Sequence, residues 1–145
     1  MQPFPATLTF TTLTPVDLAF GSAIRLNGYW FDPTTLEPGN NFPILLQWSA
    51  PAPLPTDFTV FVHLLGSDGR RVAQSDAYPI WLIPQPTSQW LPNQSILDRH
   101  TLSLPPDLAP GVYTLKLGLY DLQTSERLRL PDGSDVFTLE QIQIP

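Results

Sequence analysis

Short runs of alternating apolar and polar residues recur along the chain, and prolines stand between them. Proline cannot donate a ladder hydrogen bond, so it marks where strands stop and loops begin. Residues 6–12 alternate weakly and predict a first, edge strand. In residues 24–30, Ile24, Leu26 and Trp30 fall on one face of a second strand. Asp32-Pro33 and Glu37-Pro38-Gly39-Asn40 then predict a loop. In the next strand Ile44, Leu46 and Trp48 share a face, with Leu45 and Gln47 opposite. On this parity both Trp30 and Trp48 are expected in the core.

Residues 58–65 are apolar on both faces. Phe58, Val60, Val62 and Leu64 lie on one side, and Phe61, His63 and Leu65 on the other. That pattern predicts a central strand covered on both sides. Ser67-Asp68-Gly69 signals a hairpin turn into a return strand over 71–76. Residues 96–104 read as a strand ending at Pro105-Pro106. After Pro110-Gly111, Tyr113, Leu115, Leu117 and Leu119 point one way while Thr114 and Lys116 point the other. Residues 127–130 and 137–144 complete the series. The sum is about eight or nine strands and no helical apolar period. The expected fold is all-β: one antiparallel two-sheet β-sandwich over residues 1–145, immunoglobulin-like or jelly roll.

Residues 77–93 break the alternation. They are long for a loop, hold four prolines, and carry Tyr78, Trp81 and Trp90 with Gln85, Gln89 and Asn93 nearby. Long loops without a period are often functional. Aromatic faces stack on sugars and amides hold hydroxyls, so Tyr78, Trp81, Gln85, Gln89 and Trp90 form a candidate glycan site. The competing reading is that Trp90 plugs one end of the sandwich and anchors the loop.

Charge narrows the partners. Thirteen acids against seven bases give a net charge of −6, which leaves no basic footprint for nucleic acid. Cysteine is absent, which removes disulfides, thiolate catalysis and thiolate metal sites. No apolar run approaches the roughly 18 residues that cross a bilayer. The first twelve residues hold no Lys or Arg, unlike the start of a signal peptide. The expectation is a cytoplasmic piece or one cut from a longer, membrane-anchored chain.

Asp98 and His100 share a face with Ile96, Leu102 and Leu104. One reading is a general base oriented by a carboxylate. The other is a buried structural pair. No Gly-x-Ser-x-Gly elbow supplies a nucleophile, and most acids stand at turns, where turn chemistry explains them. Asp132-Gly133-Ser134-Asp135 offers oxygens to calcium but lacks the full loop pattern. Catalytic residues, metal and cofactor are therefore all expected to be none.

Several phrases carry a family resemblance. They are Gly28-Tyr29, PTDFTVFVHLLGSDGRRVAQSDAYP over 55–79, and Pro86-Thr87-Ser88 with Trp90. Asp98, Leu102-Ser103-Leu104-Pro105, and PGVYTLKLGLYDLQTSERL over 110–128 complete the set. Together they resemble a β-sandwich domain at the C-terminus of bacterial integral-membrane glycosyltransferases of the protein-mannosyltransferase type, also found in related envelope proteins. The resemblance covers the chain from about Ile24 onward. It implies an extracytoplasmic, non-catalytic accessory module, with a glycan or lipid-linked sugar and the membrane-embedded part of the parent chain as partners. The alternative is a structural or protein–protein interaction domain. Two departures stand out: Ser125 replaces a usual glycine after Thr124, and Ile80-Trp81-Leu82 is bulkier than the usual glycine-containing loop.

Overall fold

The computed structural model describes residues 13–145. The strand expected over 6–12 lies outside them. Eight strands form: β1 Thr14–Phe20, β2 Ile24–Phe31, β3 Asn41–Ser49, β4 Phe58–Leu65, β5 Arg71–Ala77, β6 Ile96–Ser103, β7 Gly111–Asp121 and β8 Phe137–Ile144. They make two four-stranded antiparallel sheets, ordered β1-β2-β3-β6 and β5-β4-β7-β8. The all-β sandwich expected from the alternation is what forms.

Of the two sandwich types, the pairing follows the immunoglobulin one. The order β5-β4-β7-β8 corresponds to strands C′-C-F-G, and the β3–β6 pair to B–E. A tyrosine corner supports this: near the start of β7, the Tyr113 hydroxyl donates to the Ala109 carbonyl, four residues back, at 2.6 Å.

The core lies between the sheets. Ile24, Leu26, Leu46 and Trp48 from one sheet meet Val60, Val62, Leu115, Leu117 and Leu119 from the other. Phe20 and Trp48 pack edge to face at 5.7 Å. The inward set of β7 is the one its alternation predicts, and Thr114 and Lys116 point away from it.

Three expectations are corrected. First, Trp30 is not a core residue. The register moves from Leu26↔Trp48 to Gly28↔Gln47, so Asn27 is an extra residue in β2. A bulge of one residue inverts the parity beyond it. Tyr29, opposite Leu46, therefore joins the core, and Trp30, opposite Leu45, faces outward half-buried. Second, residues 127–130 are not a strand: they fold back on β7 through one bridge, Tyr120↔Arg127. Third, β1 forms where no strand was expected, with Pro15 and Pro43 both inside strands. Pro43 is tolerated because the β2 ladder stops at Phe31↔Ile44, leaving only β6 to pair there.

Residues 77–93 are held at many points. Thr87 is fully buried; its hydroxyl donates to the Thr56 carbonyl and accepts from the Phe58 N–H. The Ser88 N–H donates to Asp57 and the Asn93 N–H to the Ala50 carbonyl. The Ile80 carbonyl accepts the Arg99 N–H at 2.8 Å, which covers part of the exposed edge of β6.

Candidate ligand-binding site

The structure separates the five loop residues read from the sequence. Trp90 is 5% exposed, and its indole N–H donates to the Gln85 carbonyl at 2.8 Å, closing the loop on itself. The Gln85 side-chain amide reaches the Leu97 carbonyl at 3.5 Å, and its backbone N–H donates to Pro79. Gln89 is exposed. Trp81 is half-buried at the tip of a small turn closed by the Ile80↔Pro84 bridge. Tyr78 is 40% exposed and lines a cleft of about 310 Å³ with Asp57, Asp121 and Gln123. With Trp90 buried, no exposed Trp81/Trp90 platform exists. The tip instead presents aliphatic surface: Leu82 is 88% and Ile83 69% exposed, with Ile80 also open, and Leu91 is exposed further along the loop.

Asp98 and His100 lie between the sheets, 0% and 2% exposed. The carboxylate is saturated. Oδ1 accepts the Ile80 N–H at 2.9 Å, and Oδ2 accepts from Trp48 Nε1 at 3.0 Å and His100 Nε2 at 2.8 Å. On the other side of the ring, His100 Nδ1 shares a hydrogen bond with the Ser75 hydroxyl of β5, 3.1 Å away. The pair thus ties the loop, the core tryptophan and the edge of the opposite sheet together. Among the described residues no buried side-chain polar atom lacks a partner. Nothing remains on this pair to meet a substrate.

A more open cluster forms on the outer face of the β5-β4-β7-β8 sheet. Phe61 and His63 are outward residues of β4, Tyr120 and Gly118 of β7, and Asp76 of β5. Phe61 stands opposite Gly118, and a Cβ on that glycine would meet the Phe61 ring at 2.2 Å. The ring lies flat in the space the missing side chain leaves. His63 and Tyr120 flank it, with centroids 4.8 and 6.1 Å away. The Arg127 guanidinium stacks over it at 4.5 Å. Asp76 accepts from the Tyr120 hydroxyl at 3.0 Å and from the Gln74 amide at 3.2 Å.

The result is a trough of about 220 Å³ with an aromatic floor and Arg71, Asp76, Ser125 and Arg127 around it. Ser125 and Arg127 also line a second recess of about 480 Å³, which extends it toward Arg129 and Asp135. Burial holds the His63 imidazole below its usual range; Arg71 and Arg127 push it the same way, and Asp76 opposes. Burial and the bond to Asp76 raise the Tyr120 phenol.

The turn beside the trough explains one sequence departure. Ser125 has φ +62°, the left-handed region, where glycine carries no Cβ penalty. The Asp132 turn uses its own oxygens: the carboxylate accepts from the Ser134 N–H and hydroxyl, which lowers its pKa, and Asp135 pairs with Arg127 at 3.5 Å. Among the described residues no three ligating side chains converge on a metal position.

Sequence reasoning found β4 and β7 but not this cluster. The available signal was His63 and Phe61 on the non-core side of β4, with Gly118 and Tyr120 on the same side of β7.

No protein-family model matches the chain, and no curated protein matches it significantly. Among solved structures, the chain is similar to the C-terminal domain of wzt, with a TM-score of 0.53 at 12% identity. The match covers 91% of this chain and 76% of that one. That likeness is one of fold.

Proposed function

We propose that this chain is a non-catalytic accessory module that binds glycan on the outer face of the β5-β4-β7-β8 sheet. The observation that carries the proposal is the trough itself: an aromatic floor with exposed hydrogen-bonding groups at its rim. Ligand sites combine apolar surface with a few placed polar groups. A pyranose offers a C–H face to Tyr120 and His63 and hydroxyls to Asp76, Gln74 and Ser125. The floor is pre-formed on paired strands, so little ordering is needed on binding. The Asp98–His100 pair is buried and hydrogen-bonded within the fold, which supports reading the exposed trough as a binding surface.

The sequence phrases extend this to an extracytoplasmic module beside a membrane glycosyltransferase, holding its glycan or lipid-linked sugar. A glycan panel followed by titration tests the site. Tyr120→Ala is expected to weaken binding at least tenfold, while Trp81→Ala leaves it unchanged. The reverse outcome would place the site on the 77–93 loop.

A second reading rests on the aliphatic tip. Leu82 and Ile83 are exposed beside Trp81, Leu91 is exposed further along the same loop, and residues 77–97 contain no charged side chain. Such a patch suits packing against the membrane-embedded part of the same protein. If no glycan binds at millimolar concentration, this interaction reading replaces the first. A photo-crosslinker at position 82 in the full-length protein would then be expected to reach the membrane part.

A further inference from the structure

We infer that the trough is built for an acidic glycan, one whose sugars carry carboxylates. The inference rests on the glycan-binding reading above and names the class of ligand.

The first ground is the distribution of charge. The chain carries seven Lys and Arg against thirteen acids. Yet Arg71, Lys116, Arg127 and Arg129 gather on this sheet face or on the segment beside it. Lys116 stands directly opposite His63 across the β4–β7 ladder. On a protein of net charge −6, a local basic cluster opposes the overall field and marks a face suited to an anion.

The second ground is which groups are already satisfied. Asp76 accepts from Tyr120 and Gln74, and Asp135 pairs with Arg127. Glu126 lines the second recess, toward Arg129, rather than the aromatic floor. Arg71 is exposed and makes no hydrogen bond or ion pair among the described residues. Arg127 is held by its stacking on Phe61, which leaves guanidinium N–H groups beyond the Asp135 contact. His63, Arg71 and Arg127 line the same trough. A carboxylate seated among Arg71, His63 and Arg127 would offset the two guanidinium charges that hold the imidazole proton off. A neutral sugar offers those guanidinia no counter-charge. A uronic acid offers the carboxylate to these cations and the C–H face of its ring to Tyr120 and His63 together.

The test is titration of the chain with three probes: an oligoglucuronate, a neutral glucan of equal length, and poly-glutamate. The oligoglucuronate is expected to bind about tenfold more tightly than the neutral glucan, the worth of one bidentate charge-assisted pair. Arg71→Ala should remove that advantage without affecting folding, since the side chain is exposed and unpaired. Arg25→Ala, a cation on the other sheet, should change nothing. The His63 imidazole, followed by NMR, should titrate at higher pH in the bound form.

Equal binding of the neutral glucan would overturn the acidic preference and leave the glycan reading standing. Equal binding of poly-glutamate would overturn it as well, because charge alone would suffice. Failure of both sugars to bind would remove the glycan reading itself, and this inference with it.

Discussion

The fold uses a histidine, a carboxylate and an aromatic ring twice, once between its sheets and once on its outer face. Between the sheets, Asp98 and His100 spend every polar atom on Trp48, Ile80 and Ser75. On the outer face, His63 packs tilted against Phe61 and bonds to no side chain among the described residues, and Arg71 is exposed. The residue types are alike; the difference is how much hydrogen-bonding capacity remains. A saturated buried network specifies structure, because each member lost leaves others unpaired. An unsaturated exposed one is available to a ligand. The buried pair looked the more chemical of the two in the sequence, because two titratable groups interrupt an apolar face.

This contrast is open to test. The largest effect is expected from Asp98→Ala. It leaves the Trp48 indole, the Ile80 amide and His100 without their acceptor, so unfolding free energy should fall by about 3–5 kcal/mol. A denaturant midpoint close to that of the parent would mean that the network is dispensable and the contrast misplaced.

Next come neighbours on opposite faces of β7. Leu117 is fully buried and Leu117→Ala should cost roughly 2–5 kcal/mol through the cavity it leaves. Lys116→Ala should stay within about 0.5 kcal/mol. Equal losses in melts would break the assignment of inner and outer faces.

Gly118→Ala probes the trough floor. Its new Cβ would press on the Phe61 ring at 2.2 Å and force the ring to shift, at roughly 1–3 kcal/mol. Ligand binding should fall further than stability does, since the floor would tilt while the core stays packed. Binding that survives with the parent affinity would show that the ring is not part of the site.

The smallest effect is one of pH. Burial, then the hydrogen bond from its hydroxyl to Glu140, pushes the Tyr29 phenol up to about 12. Between the ordinary value of 10 and that figure, the folded state keeps a proton that the unfolded chain releases. Stability from this source is intact below pH 10 and is lost as pH rises toward 12. Alkaline melts should show that slope, and Tyr29→Phe should flatten it.

The alternation of side chains is local, and it was enough for the sandwich, the inward face of β7 and the hairpin at Gly69. It also placed Asp98 and His100 on the core side of β6, since no bulge interrupts that strand's ladder with β3. Where parity changes without a local mark, the sequence misled: one extra residue at Asn27 exchanges Tyr29 and Trp30 between core and surface. The loop offered the same difficulty. Its composition allowed either an exposed stacking ring or a plug at Trp90, and the structure takes the plug, with the indole N–H bonded to a carbonyl five residues back.

What the sequence determined by itself is therefore the strands β2 to β8 and, in each unbroken one, the face that turns to the core. The tertiary structure alone decided the candidate site. Phe61, Asp76, Gly118 and Arg127 come from three strands and a returning segment, and lateral pairing sets them side by side. Period-two alternation says which side of a strand a residue occupies. It carries no information about which strand lies next to it, because that choice is made by contacts distant in the chain.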